Sequence, residues 1–143
     1  MHIVDILDHK GSEVFTINRQ ASVREAVAEL TRRSIGALVV SPDGVEIDGL
    51  VSEPDVVRHL DRLGPELLRA PVASIMSTPV YTCAPDDTPE EVMAVMTNRR
   101  VRHLPVVRDG AICGLVSIGD VVKSRIEELE TDHKVLVEYI TAR

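Results

Sequence analysis

The sequence predicts a mixed α/β (α+β) fold: two β-α-β-β-α repeats packed about a pseudo-twofold axis, with an extended C-terminal helix. Three observations predict it. Gly49-Leu50-Val51-Ser52-Glu53-Pro54-Asp55 recurs almost letter for letter as Gly114-Leu115-Val116-Ser117-Ile118-Gly119-Asp120. The copying runs well beyond this heptapeptide: Val14 falls on Val80, Thr16 on Thr82, Glu25 on Glu91, Leu38 on Leu104 and Asp43-Gly44 on Asp109-Gly110, an offset of 66 that becomes 65 at the heptapeptide. Within each half, the apolar pattern switches between helical and strand periods. Two copies are too few to stack as a solenoid. A half-sheet this small buries too little surface alone, so the halves must pack on each other.

In chain order, a leader helix carries Ile3-Val4-Asp5-Ile6-Leu7, which is echoed by Val72-Ala73-Ser74-Ile75-Met76. A first strand follows around Val14–Thr16. Ser22-x-x-Glu25 reads as a capping box, and Val23, Ala26, Val27 and Leu30 then give the stripe of an amphipathic helix. Leu38-Val39-Val40 leads through Pro42-Asp43-Gly44 to Ile47 and Gly49–Val51, a hairpin with an Asp-Gly turn. A second helix is expected to start at Ser52 and to bury Val56, Val57, Leu60 and Leu63. The Gly and two prolines of 64–71 mark a linker. The second half repeats the scheme, with Thr88-Pro89-x-Glu91 as the cap. Its hairpin turns at Asp109-Gly110, and Pro105 implies an edge position or a local break. The last helix continues beyond the repeat, with Ile126, Leu129, His133, Leu136 and Ile140 on an a/d seam. That seam serves either to fold back on its own domain or to pair with a second copy. The expected units are therefore 1–63, the linker 64–71, the second repeat 72–126 and a helical extension 127–143.

Composition removes several function classes. The formal net charge of −7 argues against nucleic acid or an anionic membrane surface as a partner. No stretch approaches the roughly 18 apolar residues of a membrane span, and the N-terminus reads as a polar-interrupted helix rather than a secretory leader. Cys83 and Cys113 lack zinc-motif spacing and are expected to be reduced thiols of a cytoplasmic protein. Aromatic residues make up 2% of the chain, so a bound base is expected to find no stacking partner. Without an activated Cys-His pair, metal spacing, Gly-rich phosphate loop or nucleophile elbow, the expectation is that the chain is not an enzyme.

The candidate chemistry sits at the two Ser-x-x-Asp junctions. Ser at an N-cap with Asp three residues on can serve only the helix, as a capping box. The same groups suit a nucleotide: hydroxyl and helix N-terminal N–H groups donate to phosphate, and a carboxylate accepts from the vicinal hydroxyls of a ribose. Gly49 and Gly114 are expected to leave room beside each junction. Arg102 shares a face with Leu104 and Val106 and is expected to line a cleft, with His103 pointing the other way. Arg99 and Arg100 read as a solvated basic corner. Gly36 and Ala37 replace Arg102 and His103 in the first half, so the clefts differ chemically.

With Val14-Phe15-Thr16, Ile35-Gly36-Ala37-Leu38-Val39-Val40, Val80-Tyr81-Thr82, Val101–Val107 and the two Gly-to-Asp junctions in register, the chain resembles a tandem cystathionine-β-synthase (CBS) domain pair, or Bateman module, of the small stand-alone bacterial type. The resemblance implies a regulatory sensor that binds an adenosine nucleotide (AMP, ADP, ATP or NADH) between the repeats, requires no cofactor, forms a homodimer and signals to a regulated protein. It implies that Asp55 and Asp120 hold ribose hydroxyls, that Ser52 and Ser117 contact ribose or phosphate, and that Arg102 reaches phosphate. Val14, Thr16, Val80 and Thr82 would flank adenine, with Gly36, Ala37, Ser77 and His103 nearby. Relatives often carry Arg where this chain has Pro54, which implies either a weaker or empty Asp55 cleft or compensation by the nearby Ser77-Thr78 and Arg102-His103. The competing reading is a dimerisation scaffold whose Ser-x-x-Asp pairs only cap helices.

Overall fold

The computed structural model describes residues 1–142. Its elements are α1 (Ile3–Lys10), β1 (Thr16–Ile17), α2 (Val23–Arg33), β2 (Ala37–Val40), β3 (Gly49–Ser52), α3 (Glu53–Leu63), α4 (Pro89–Arg99), β4 (His103–Arg108), β5 (Ala111–Ser117) and α5 (Ile118–Thr141). Two 3-10 segments, Gly64–Arg69 and Val72–Ser74, join the halves. In the first sheet β1 runs parallel to β2 and β2 antiparallel to β3; β4 and β5 form the second, antiparallel sheet.

Local sequence accounts for the ends of these elements. Ser22 and Thr88 accept the Glu25 and Glu91 N–H groups, opening α2 and α4, and Pro89 sits where its missing N–H is harmless. Asp109 and Gly110 both have positive φ (52° and 79°), which suits the tight β4–β5 turn to the twist of its strands. The corresponding Asp43-Gly44 loop is longer. There Asp43 Oδ1 accepts the Val45 and Glu46 N–H groups, and these bonds hold its carboxyl below the usual aspartate pKa.

The second repeat departs from the expected pattern at its first strand. Val80–Thr82 forms no regular strand; pairing shrinks to one bridge, in which Cys83 N–H donates to Pro105 O and Val107 N–H to Cys83 O. Pro79, Pro85 and Pro105 crowd this seam and supply no N–H donors. A bulge between Val106 and Val107 follows Pro105.

The leaders cross over. Ile3, Ile6 and Leu7 of α1 are buried with Val92, Met96, Leu104, Val106, Val116 and Val121 of the second repeat. Val72 and Ile75, from the second leader, are buried with Val23, Leu30, Leu38 and Val51 of the first. Gly49 and Gly114 are therefore not vacant ground. A Cβ on Gly49 would lie 2.6 Å from Met76 Sδ, and one on Gly114 would lie 2.6 Å from Leu7 Cδ1. Each glycine admits the leader of the other half, which corrects the expectation that they leave room for a ligand. A third cluster, Ala37, Val39 and Leu50 with Val14, Val80, Ile112 and Leu115, mixes both repeats across the pseudo-dyad.

Candidate functional site

The two junctions line two clefts. The first has a volume of about 460 Å³, and Ser117, Asp120, Gly36, Ala37, Phe15 and Lys10 are among its walls. The second, of about 360 Å³, takes Ser52, Asp55 and Ser77 together with Arg58, Arg100 and Arg102. Gly36 and His103 belong to both. These volumes fall in the range of small-molecule sites.

The junctions share a sequence pattern and differ in chemistry. At α5, Ser117 Oγ accepts the Asp120 N–H (3.1 Å) while Asp120 Oδ2 accepts the Ser117 N–H (2.9 Å), a reciprocal cap. Lys10, at the end of α1, donates to the same Oδ2 (2.6 Å) and to Leu115 O (2.9 Å). Among the described residues, Oδ1 takes no partner, and the side chain remains 25% exposed. Burial alone would raise the Asp120 pKa. The Lys10 ammonium and the Ser117 amide outweigh it and hold the carboxyl below its ordinary value.

At α3, Ser52 and Asp55 also form a capping box, and Ser52 Oγ donates to Asp55 Oδ2 (2.9 Å), alongside the Ser52 N–H (2.9 Å). Ser77 Oγ donates to Oδ1 (3.1 Å), and an Arg58 nitrogen lies 3.5 Å from it. Both oxygens are engaged and Asp55 is 3% exposed. At this junction the carboxylate is turned onto its own helix start, as the capping reading expects.

His103 separates the clefts. Its ring lies 3.1 Å from where a Gly36 Cβ would stand, so the imidazole packs directly on the glycine backbone. Burial pushes its pKa below the usual histidine value; Asp120 and Glu53 pull it up, and Lys10 and Arg102 push it down. The expectation that His103 points away from the cleft is thus corrected: the side chain opens both.

Of the thirteen candidate residues, the clefts bring together Gly36, Ala37, Ser52, Asp55, Ser77, Arg102, His103, Ser117 and Asp120. Val14 and Val80 pack in the inter-repeat cluster, while Thr16 and Thr82 stand outside both linings. Lys10 was not among the expected site residues, Arg58 was legible only as the basic residue that follows the first junction, and Arg100 was expected in solvent. No aromatic wall was expected either, yet Phe15 lines the Asp120 cleft, with the Arg33 guanidinium 4.0 Å over its ring. The repeat marks Arg58, which follows Val56-Val57 as Lys123 follows Val121-Val122; Lys10 carries no such signal.

Among the described residues no group of three or more His, Cys, Asp and Glu could hold a metal, and no helix is long and apolar enough to cross a membrane. Cys83 and Cys113 are free thiols, and burial raises the Cys83 pKa to about 12.

Comparison with known proteins agrees with this architecture. The structure resembles a CBS-domain protein from Agrobacterium tumefaciens at a TM-score of 0.84 and 38% identity, over 87% of this chain and 99% of that one. A mitochondrial CBS domain-containing protein of Arabidopsis thaliana is 31% identical over 96% of this chain and 71% of its own length. The CBS domain pair of protein MJ0100, solved with 5′-methylthioadenosine and S-adenosyl-L-methionine, shares the fold (TM-score 0.76) at 22% identity, over 86% of this chain and 98% of that one. The chain also matches the arabinose 5-phosphate isomerase KdsD of Yersinia pestis at 29% identity over 88% of its own length, but spans only 38% of that enzyme. A family model for the CBS domain matches twice, at residues 5–62 and 72–127, and the chain belongs to the CBS-domain family as a tandem pair.

Proposed function

We propose that the protein is a regulatory module that binds an adenosine nucleotide in the Asp120 cleft and passes the resulting rearrangement to a partner protein. The observation that carries this reading is the Asp120 carboxylate on the wall of a cavity of nucleoside size, with one oxygen held by Lys10 and Ser117 and the other without a partner among the described residues. That second oxygen can accept from a ribose hydroxyl, Phe15 offers an aromatic wall, and Lys10 and the α5 N-terminus can meet a phosphate. Lys10 is the single lysine of this cleft and the acidic Glu13 also lines it, so a ligand with few phosphates fits best, AMP before ATP or NADH. The MJ0100 pair, solved with two adenosine compounds, supports the ligand class. Thr16, Val14, Val80 and Thr82 remain candidates for contact with adenine through their backbone. The Asp55 cleft, with Arg58, Arg100 and Arg102, is the second candidate site, suited to the anionic part of a ligand; these arginines offset the contact that Pro54 cannot make. The module works without chemistry of its own, in the cytoplasm, as a homodimer beside the protein it regulates.

Isothermal calorimetry with AMP, ATP and NADH tests the proposal. Binding of AMP that disappears in Asp120→Ala is expected, with a thermal shift in the native protein that grows once the ligand exceeds its Kd. No heat and no shift at millimolar nucleotide would favour the second reading, a scaffold that binds no ligand. The sealed Asp55 carboxylate is the observation that speaks for that reading.

A further inference from the structure

From Leu129 to Thr141 every residue of α5 is exposed, so about 20 Å of helix projects from the body. The molecule's accessible surface is 8949 Å², against about 7,300 Å² for a compact 15.7 kDa monomer. The excess, about 1,650 Å² on one chain, is about twice the roughly 800 Å² that one partner buries in a standard protein–protein interface. The projecting helix is not uniformly polar: Val122, Ile126, Leu129, Leu136 and Ile140 are 36–59% exposed and keep a/d spacing with His133.

We infer that α5 pairs antiparallel with the α5 of a second copy of this chain, setting Val122 against the second copy's His133 and Ile126 against its Leu129. The charges flanking the seam choose this arrangement. Lys123 and Arg125 lie between Val122 and Ile126, and Glu130 and Asp132 lie between Leu129 and His133. Antiparallel pairing in this register brings Lys123 to the second copy's Glu130 and Arg125 to its Asp132, at both ends, and opposes the helix dipoles. A parallel pair would match only Arg125 with Glu130 and would stack His133 on His133. An antiparallel pair centred later, with Leu129 against His133, would set Glu130 on Glu130 and Asp132 on Asp132. Arg125 also holds Glu90 and Glu128 on its own chain, which fixes it beside the seam. In this register Leu136 and Ile140 pass the first turn of the other α5, where Ile118 is exposed.

The inference rests on the homodimer reading above and is independent of the nucleotide. Its test uses the full chain with Cys113→Ser, since Cys83 is buried. Mild oxidation of the Val122→Cys, His133→Cys double variant is expected to give a covalent dimer, and neither single variant should. Cross-linking of the single variants would mean a parallel pair and overturn the inference. A non-covalent dimer in sedimentation without any 122–133 cross-link would overturn the helix pairing but leave the homodimer; a monomeric native chain would overturn both. In addition, Lys123→Glu should weaken dimerisation about tenfold, and Glu130→Lys in the same chain should restore it. Equal affinity in all three chains would overturn the register.

Discussion

At the residue scale, the two aspartates have divided labour that the sequence writes identically. Asp55 is buried and accepts three hydrogen bonds, two from the half-buried Ser52 and one from the exposed Ser77, so Asp55→Ala removes three bonds to a charged group. It should cost about 3 kcal/mol in urea denaturation. Asp120→Ala loses a partly exposed cap and should cost about 1 kcal/mol, while removing nucleotide binding. Equal destabilisation would mean that the junctions are energetically alike. His103 adds a pH dependence. Its folded pKa lies below the ordinary value of 6.5, so the unfolded chain takes the proton first. Its contribution is then fully present above about pH 6.5 and is lost as the pH falls toward the folded pKa. Relative to the native chain, His103→Gln should therefore lose less stability between about pH 6.5 and pH 5, measured as urea midpoints at each pH. Parallel pH curves would remove this role. The Ser-x-x-Asp repeat made both junctions legible as capping boxes, but only Ser52 also donates its hydroxyl to its aspartate. Ser77, the residue that distinguishes the Asp55 environment, lies 22 positions from Asp55.

At the scale of elements, α2, α3, α4 and α5 were legible because Ser22, Ser52, Thr88 and Ser117 state their starts locally; the burial expected on α3 is corrected, since Val57, Leu60 and Leu63 are 67%, 46% and 43% exposed. The missing first strand of the second repeat was not legible, since Val80-Tyr81-Thr82 matches Val14-Phe15-Thr16 in pattern and only the proline-rich seam with Pro105 stops regular pairing. The glycines of the junctions were legible as special, yet their reason is packing. Gly114→Ala drives a methyl group onto Leu7 and should cost about 1–3 kcal/mol. If crowding is the cause, Leu7→Ala in the same chain should cost less than it does in the native background, a coupling that a double-mutant cycle reads directly. Additive costs would place the strain elsewhere.

At the scale of the whole molecule, the internal repeat made the pseudo-twofold pair legible, but it hid which leader belongs to which core. Homology between Ile3–Leu7 and Val72–Met76 assigns each leader to the repeat that follows it, whereas the packing gives each to the other repeat. The consequence is a single cooperative unit. A fragment of residues 72–143 would lack Ile3, Ile6 and Leu7, all buried in its core. At about 2 kcal/mol for each side chain, the loss is roughly 6 kcal/mol, comparable to the entire stability of many small domains. A fragment of residues 1–71 has the converse defect, since it carries α1 with no core to receive it and loses Ile75 from its own. Each fragment alone should therefore lack a cooperative thermal transition by circular dichroism. An equimolar mixture should recover the transition, because crossing leaders supply what the other half lacks. A cooperative transition in isolated 72–143 would mean that α1 decorates the second core rather than completing it, and Lys10 would then tether Asp120 from a detachable arm rather than from a fixed wall of the cleft.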